Sequence, residues 1–206
     1  MRLVTFALAL CGMVSTITAV AMPPSDELRV QSRGYAAPDP CSLADSPSVN
    51  ASIQLSNWFQ CQANGFFPYP ANGPWDQVFA SAFSKDLKAT FNDTHYGYDG
   101  WLQAYRNINV TIGKSFAPFE HGFTSTLAVP NSNGDKGGLV YAIGWEGGYS
   151  TFYNRTLYFT DGAFAVVKIV DGQRKIVEFR ESSNIPNTAP MPTPNDWTCS
   201  FPEGNI

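Results

Sequence analysis

Apolar and polar positions divide this chain into a helical first half and a strand-rich second half. After Asn72-Gly73-Pro74, the residues Trp75, Val78, Phe79, Ala82 and Phe83 recur at i, i+3, i+4, i+7 and i+8, the spacing of a one-sided amphipathic helix. Pro74 suits its first turn, where the missing N–H would be unpaired anyway. Tyr98, Trp101, Leu102 and Tyr105 form a second such stripe, with Asp99 placed to cap the helix start. A weaker helical pattern covers 49–62 through Ile53, Leu55, Trp58 and Phe59, and Asn64-Gly65 is expected to end it.

Beyond Asn109 the pattern changes to runs of period two, rich in Val, Ile, Phe, Tyr and Thr, which predict strands over 110–129, 138–151, 156–170 and 175–182. A shorter strand is predicted earlier, at 87–92. Asn131-Ser132-Asn133-Gly134-Asp135 and Tyr153-Asn154-Arg155 read as hairpin loops, and Asp171-Gly172 as a tight turn. Helices followed by a long meander predict an α+β fold, with N-terminal helices packed in a strongly curved antiparallel sheet. Gly113, Gly122, Gly144, Gly147 and Gly148 fall within the predicted strands. They imply bulges that would bend the sheet into a cone with a pocket at one end.

The flanks lack this periodicity. Arg2, the apolar run Leu3 to Val14 and the small residues ending at Ala19-Val20-Ala21 predict a cleaved signal peptide over 1–21, the run being too short to span a bilayer. Residues 22–48 read as a flexible arm, 49–184 as the domain, and 185–206 as a tail in which Pro186, Pro190, Pro192 and Pro194 exclude a further strand. The expected location is therefore extracellular. Four Asn-x-Ser/Thr triplets, at Asn50, Asn92, Asn109 and Asn154, agree with export and are candidate N-glycosylation sites.

Loss of the leader alters both charge and cysteine count. Without Arg2 the 13 basic residues become 12, against 17 acidic ones, a net charge of −5. That balance argues against nucleic acid or an anionic membrane as partner, since both reward clustered Lys and Arg. Cys41, Cys61 and Cys199 remain, an odd number that predicts one disulfide and one spare thiol. The pairing stays open, although a bond through Cys199 would close the largest loop.

The segment PWDQVFASAFSKDLKATFN, the short helix DGWLQAYRNIN and the closing hairpin FAVVKIVDGQRKIVEFRESSN resemble the SnoaL-like branch of the nuclear-transport-factor-two-like superfamily, the cystatin-like α+β cones. The resemblance covers about Trp75 to Asn184. It implies a cone whose curved sheet and helices enclose a pocket open at one end. Members so built include polyketide cyclases, ketosteroid isomerases, dehydratases and domains that only bind ligands or partners. Its enzymes move a proton beside a carbonyl in an apolar cavity without a cofactor; no catalytic residue carries over by motif.

Candidate chemistry must then come from individual residues. The chain lacks a phosphate loop, a dinucleotide fingerprint, a nucleophile elbow, His-Glu-x-x-His and paired Cys-x-x-Cys, so neither cofactor nor metal is expected. His121 is expected to share a strand face with Phe119, Phe123, Leu127 and Val129, where apolar surroundings would lower its pKa and make it a base near neutrality. A core histidine bonded to backbone is the alternative. Glu146, in Gly144-Trp145-Glu146-Gly147-Gly148, and Asp161, on a face with Leu157, Phe159, Ala163 and Ala165, are the acid or base candidates if buried. A solvated strand edge, or for Asp161 an ion pair with Arg155 or Arg180, competes. Glu178 and Arg180, at i and i+2, are expected to pair with each other.

His95 and Asp99 have simpler explanations in a loop and a cap. Tyr98, Trp101, Tyr141, Trp145 and Tyr158 are the pocket-lining candidates, with core packing as the competing role. The expected function is a secreted pocket protein, an isomerase, cyclase or dehydratase on an apolar carbonyl compound. A non-catalytic binding module of the same fold, or a homodimer using the outer sheet face, is the alternative.

Overall fold

A computed structural model describes residues 39–69 and 73–184. The signal peptide 1–21, residues 22–38 of the arm and the tail 185–206 with Cys199 lie outside the described residues. Within the expected arm, residues 40–43 form a short helix. Asp39 accepts from the Cys41 N–H at 3.0 Å and caps the short helix α1 (Pro40–Leu43). Cys41 is bonded to Cys61, so the disulfide ties the arm to the next helix and not the C-terminal tail to the N-terminal region.

That helix, α2 (Ala51–Phe66), starts where the Asn50 side chain accepts from the Ile53 N–H at 3.0 Å. It runs through Asn64-Gly65, its expected end. Gly65 serves packing here: a Cβ at this position would stand 2.8 Å from Cγ1 of Val78 on α3 (Trp75–Ala82). Helix α3 feeds directly into β1 (Phe83–Phe91), which returns through the short β2 (Thr94–Tyr96). Helix α4 (Tyr98–Ser115) follows, capped by Gly97 and not by Asp99, which sits in its first turn.

Helix α4 also takes residues 110–115 from the predicted strand. The β-branched Val110, Thr111 and Ile112 favour strand locally. The stripe of Trp101, Tyr105 and Ile112 at helical spacing wins, because Ile112 buries against Phe116, Phe119 and Phe159.

Four long strands complete the chain: β3 (Phe116–Pro130), β4 (Gly138–Ser150), β5 (Arg155–Val170) and β6 (Gln173–Ser183). The sheet order is β2-β1-β6-β5-β4-β3, open at both edges. All pairings are antiparallel except β1 with β6. The expectation of a purely antiparallel sheet is thus corrected: α4 and the meander carry the chain away and bring β6 back alongside β1 in the same direction. The α+β architecture, helices against a curved sheet, is as expected. The main core lies between α2, α3, α4 and the inner face, around Phe59, Phe66, Phe79, Phe83, Trp101 and Ile176.

Irregularities in β3 and β4 shape the inner face. The register of β3 against β4 shifts between Phe123 and Ser125, an extra residue that changes the phase of side chains. Phe119 is buried, and His121 and Phe123 share its inward phase, but Leu127 (60% exposed) and Val129 (51%) point outward while Ala128 is buried. The predicted common face of all five residues is split by this bulge. At Gly147 and Gly148, φ is +151° and +159°, and added Cβ atoms would stand 2.1 Å from Leu157 O and 2.0 Å from Pro118 O, so only glycine fits. Among the described residues no helix is long and apolar enough to cross a membrane.

Candidate functional site

Three strands bring three acidic side chains to one place on the inner face. His121 stands opposite Glu146 across β3 and β4, Gly144 opposite Asp161 across β4 and β5, and Ala163 opposite Glu181 across β5 and β6. Each acid is therefore diagonal to the next, within reach of its neighbour. One carboxylate oxygen from each of Glu146, Asp161 and Glu181 lies within 4.8 Å of the others. Gly144 makes this approach possible, because a Cβ there would stand 2.3 Å from Asp161 Oδ1.

The acids open into a small, partly open cavity. Phe59 and Phe66 of α2 and Phe67 just beyond it form one wall, and Phe123, Trp145 and Phe179 of the sheet form much of the rest. Tyr105 of α4 and His121 also line it. The His121 ring lies 4.7 Å from that of Phe67. The Trp145 indole leans over Gly122, where a Cβ would be 3.0 Å from Nε1. Among the described residues no Lys or Arg lines the cavity, and the ion pairs considered for Asp161 do not form: Arg180 pairs with Glu178, and Arg155 lies over the Tyr153 ring.

Electrostatics follow from that arrangement. Burial, and then the charge of Asp161, pushes the Glu146 carboxyl up to about 8. Glu181 is held well above the usual carboxylate range by burial and by both neighbours. Asp161 is raised less simply, burial being opposed by the N–H groups of Gly144 and of Asp161 itself. Burial pushes the Tyr105 hydroxyl well above its ordinary value, and the three acids add to this. Burial also lowers His121, to about 4. The imidazole is thus neutral at pH 7 and too weak a base to compete for a proton with the carboxylates beside it. The cluster therefore holds its protons on the carboxyls and not on the imidazole.

Of the pocket-lining candidates, only Trp145 lines the cavity. Tyr98 and Trp101 are buried in the main core, with ring contacts to Phe79 and Phe179 respectively. Tyr141 and Tyr158, 47% and 60% exposed, stand on the outer face, one residue out of phase with the inner positions Ala142 and Phe159. Glu181 and Tyr105 are site residues that sequence reasoning missed. Glu181 stands two residues after the buried Phe179, a lone charge on an apolar strand face, the same pattern that singles out Asp161. Of the four sequons, Asn50, Asn92 and Asn154 are exposed, while Asn109 is half-buried on α4.

No family model and no curated protein matches the chain. Solved structures do. A calcium/calmodulin-dependent protein kinase II association-domain protein of Xanthomonas campestris aligns at TM-score 0.50 and 8% identity, covering 69% of this chain and 93% of that one. A SnoaL-like polyketide cyclase protein of a Jannaschia species aligns at TM-score 0.44 and 13% identity (66% and 88% covered). A scytalone dehydratase-like protein of Novosphingobium aromaticivorans aligns at 0.43 and 15% (65% and 76%). The fold of this chain is similar to that of the Xanthomonas association-domain protein. At these identities the likeness is one of fold alone.

Proposed function

We propose that this chain is a secreted pocket protein that performs cofactor-independent proton transfer on an apolar carbonyl compound, as an isomerase, cyclase or dehydratase. The observation that carries this reading is the convergence of Glu146, Asp161 and Glu181 in an aromatic cavity, with their carboxyls raised by burial and mutual charge. Asp161, the member whose raised pKa is opposed by two backbone N–H groups, is the base and removes a proton from the carbon beside the carbonyl. Glu146 in its protonated form and the Tyr105 hydroxyl donate to the carbonyl oxygen as negative charge moves onto it. The proton returns from Asp161 to another carbon, which leaves the enzyme unchanged. Neutral His121 orients the substrate by a hydrogen bond. The leader pattern, the exposed sequons and the Cys41–Cys61 bond support export.

A non-catalytic binding module is the second reading, favoured by His121, which makes no hydrogen bond or ion pair to an acid among the described residues. In either case we propose that Leu127, Tyr141 and Ile143, exposed on the outer face, are the surface of a homodimer. An exchange experiment separates enzyme from binder. In D₂O, the protein is expected to exchange the α-protons of 2-tetralone, an apolar enolisable ketone, about 10²-fold or more faster than buffer, and Asp161→Asn to lose this. Exchange at the buffer rate with the folded protein would reject catalysis on such compounds and leave the binding module.

A further inference from the structure

The cavity carries an unbalanced charge pattern that carbonyl chemistry alone does not require. Three carboxylates meet there, no Lys or Arg among the described residues lines the space, and the remaining wall is largely aromatic. An enzyme acting on a neutral ketone needs one base and one or two donors. The third acid, buried among like charges, raises the cost of the empty site.

We propose that the cavity is a receptor for a lipophilic primary ammonium ion, its –NH₃⁺ seated among Glu146, Asp161 and Glu181 and its apolar body against Phe59, Phe67 and Trp145. The inference needs the cavity and its acids, and no reaction within it. Geometry favours this occupant. An ammonium directs three N–H groups tetrahedrally, and with N···O of about 2.8 Å its acceptors stand about 4.6 Å apart. The three carboxylate oxygens lie within 4.8 Å of one another.

A second, independent observation points the same way. Tyr105 is 4% exposed, lines the cavity from α4, and its hydroxyl makes no hydrogen bond among the described residues. A hydroxyl that lines a cavity without a protein partner is one that a ligand can satisfy. Ring faces of the wall attract a cation directly, more strongly in a desolvated site than at the surface.

Binding of this cation is coupled to protons. The titratable groups facing the seat are Tyr105 on α4, His121 on β3, Glu146 on β4, Asp161 on β5 and Glu181 on β6, while α2 contributes only Phe59, Ala63 and Phe66, with Phe67 just beyond it. A bound cation favours the ionised carboxyls, so binding near neutrality releases protons and strengthens as pH rises toward the carboxyl range, the amine itself losing charge near pH 10.

The test is calorimetric titration of the mature protein with phenethylammonium and with its neutral counterpart 2-phenylethanol at pH 7.5, in buffers of different ionisation enthalpy. The ammonium is expected to bind at least tenfold tighter and to release protons into the buffer. Glu146→Gln and Glu181→Gln are each expected to weaken it at least tenfold while leaving the alcohol unchanged. The paired ligands on unmutated protein keep the test decisive if a variant fails to fold. Equal affinity for the two ligands, or no ammonium binding by folded protein, overturns the proposal. So does stoichiometric Mn²⁺ binding that excludes the amine, which would assign the acids to a metal. Ketone exchange is a separate readout, so failure of that reaction and failure of this site are told apart.

Discussion

The interior has two regions built on opposite terms. Around Phe79, the rings of Phe66, Phe83, Tyr98 and Tyr105 lie with centroids 4.5–6.4 Å away, in tilted and edge-on contacts. Every part of that region lowers the free energy of folding by burying apolar surface. A few residues away, β4, β5 and β6 bury carboxyls that repel one another and have no cationic partner among the described residues. The first region explains why the chain folds. The second opposes folding and is kept beside it, which is the pattern expected of a site selected for something other than stability.

The contrast breaks most visibly by removing one side chain from each region. Phe79→Ala empties a position with 0% exposure and is expected to cost about 3–5 kcal/mol, measured by urea denaturation. Glu146→Gln should act in the opposite direction at alkaline pH. The unfolded chain releases the Glu146 proton near 4.5, the folded protein near 8. Between these values the native state binds more protons, and stability falls as pH rises. His121, released near 4 in the folded state and near 6.5 in the unfolded, acts oppositely below about pH 6.5, so the two partly cancel there. From pH 6.5 to 8 only the loss remains, about 2 kcal/mol for a single group at about 1.4 kcal/mol per pH unit. Glu146→Gln is expected to flatten that decline. An unchanged slope would mean that Glu146 is ionised in the native protein and that the two regions do not differ in this way.

The first region is also the one most legible in sequence, and for the same reason. Trp75, Val78, Phe79 and Ala82 repeat at helical spacing because burial of one helix face is what stabilises them, so the pattern and the packing are a single fact. Helix α2 outruns its expected stop because the reason for Gly65 lies on α3, far from it in sequence. The inner face of β3 is legible only as far as Phe123, since one bulged residue reverses the alternation for Leu127 and Val129. His121, Asp161 and Glu146 are visible as polar residues on apolar runs. That they line one cavity depends on the register of β3, β4 and β5, which no local pattern contains. Glu181 lies one strand further on, and its neighbour pair Glu178–Arg180 on the same strand draws attention away from it.

A smaller perturbation sharpens the comparison without deleting an acid. Gly144→Ala places a methyl group where Asp161 Oδ1 now sits, 2.3 Å from the ideal Cβ. The carboxylate has to swing away, since the backbone at 144 is held between Gly122-Phe123 and Asp161 in the sheet. The expected stability change is small, about 1 kcal/mol in either direction, because strain in the new contact is offset by relief of repulsion among the acids. The expected effect on chemistry is large by comparison, a loss of ketone exchange close to that of Asp161→Asn. If Gly144→Ala instead destabilises the protein as Phe79→Ala does while retaining exchange, the glycine is there for sheet packing. The acid cluster would then owe its geometry to the strands alone.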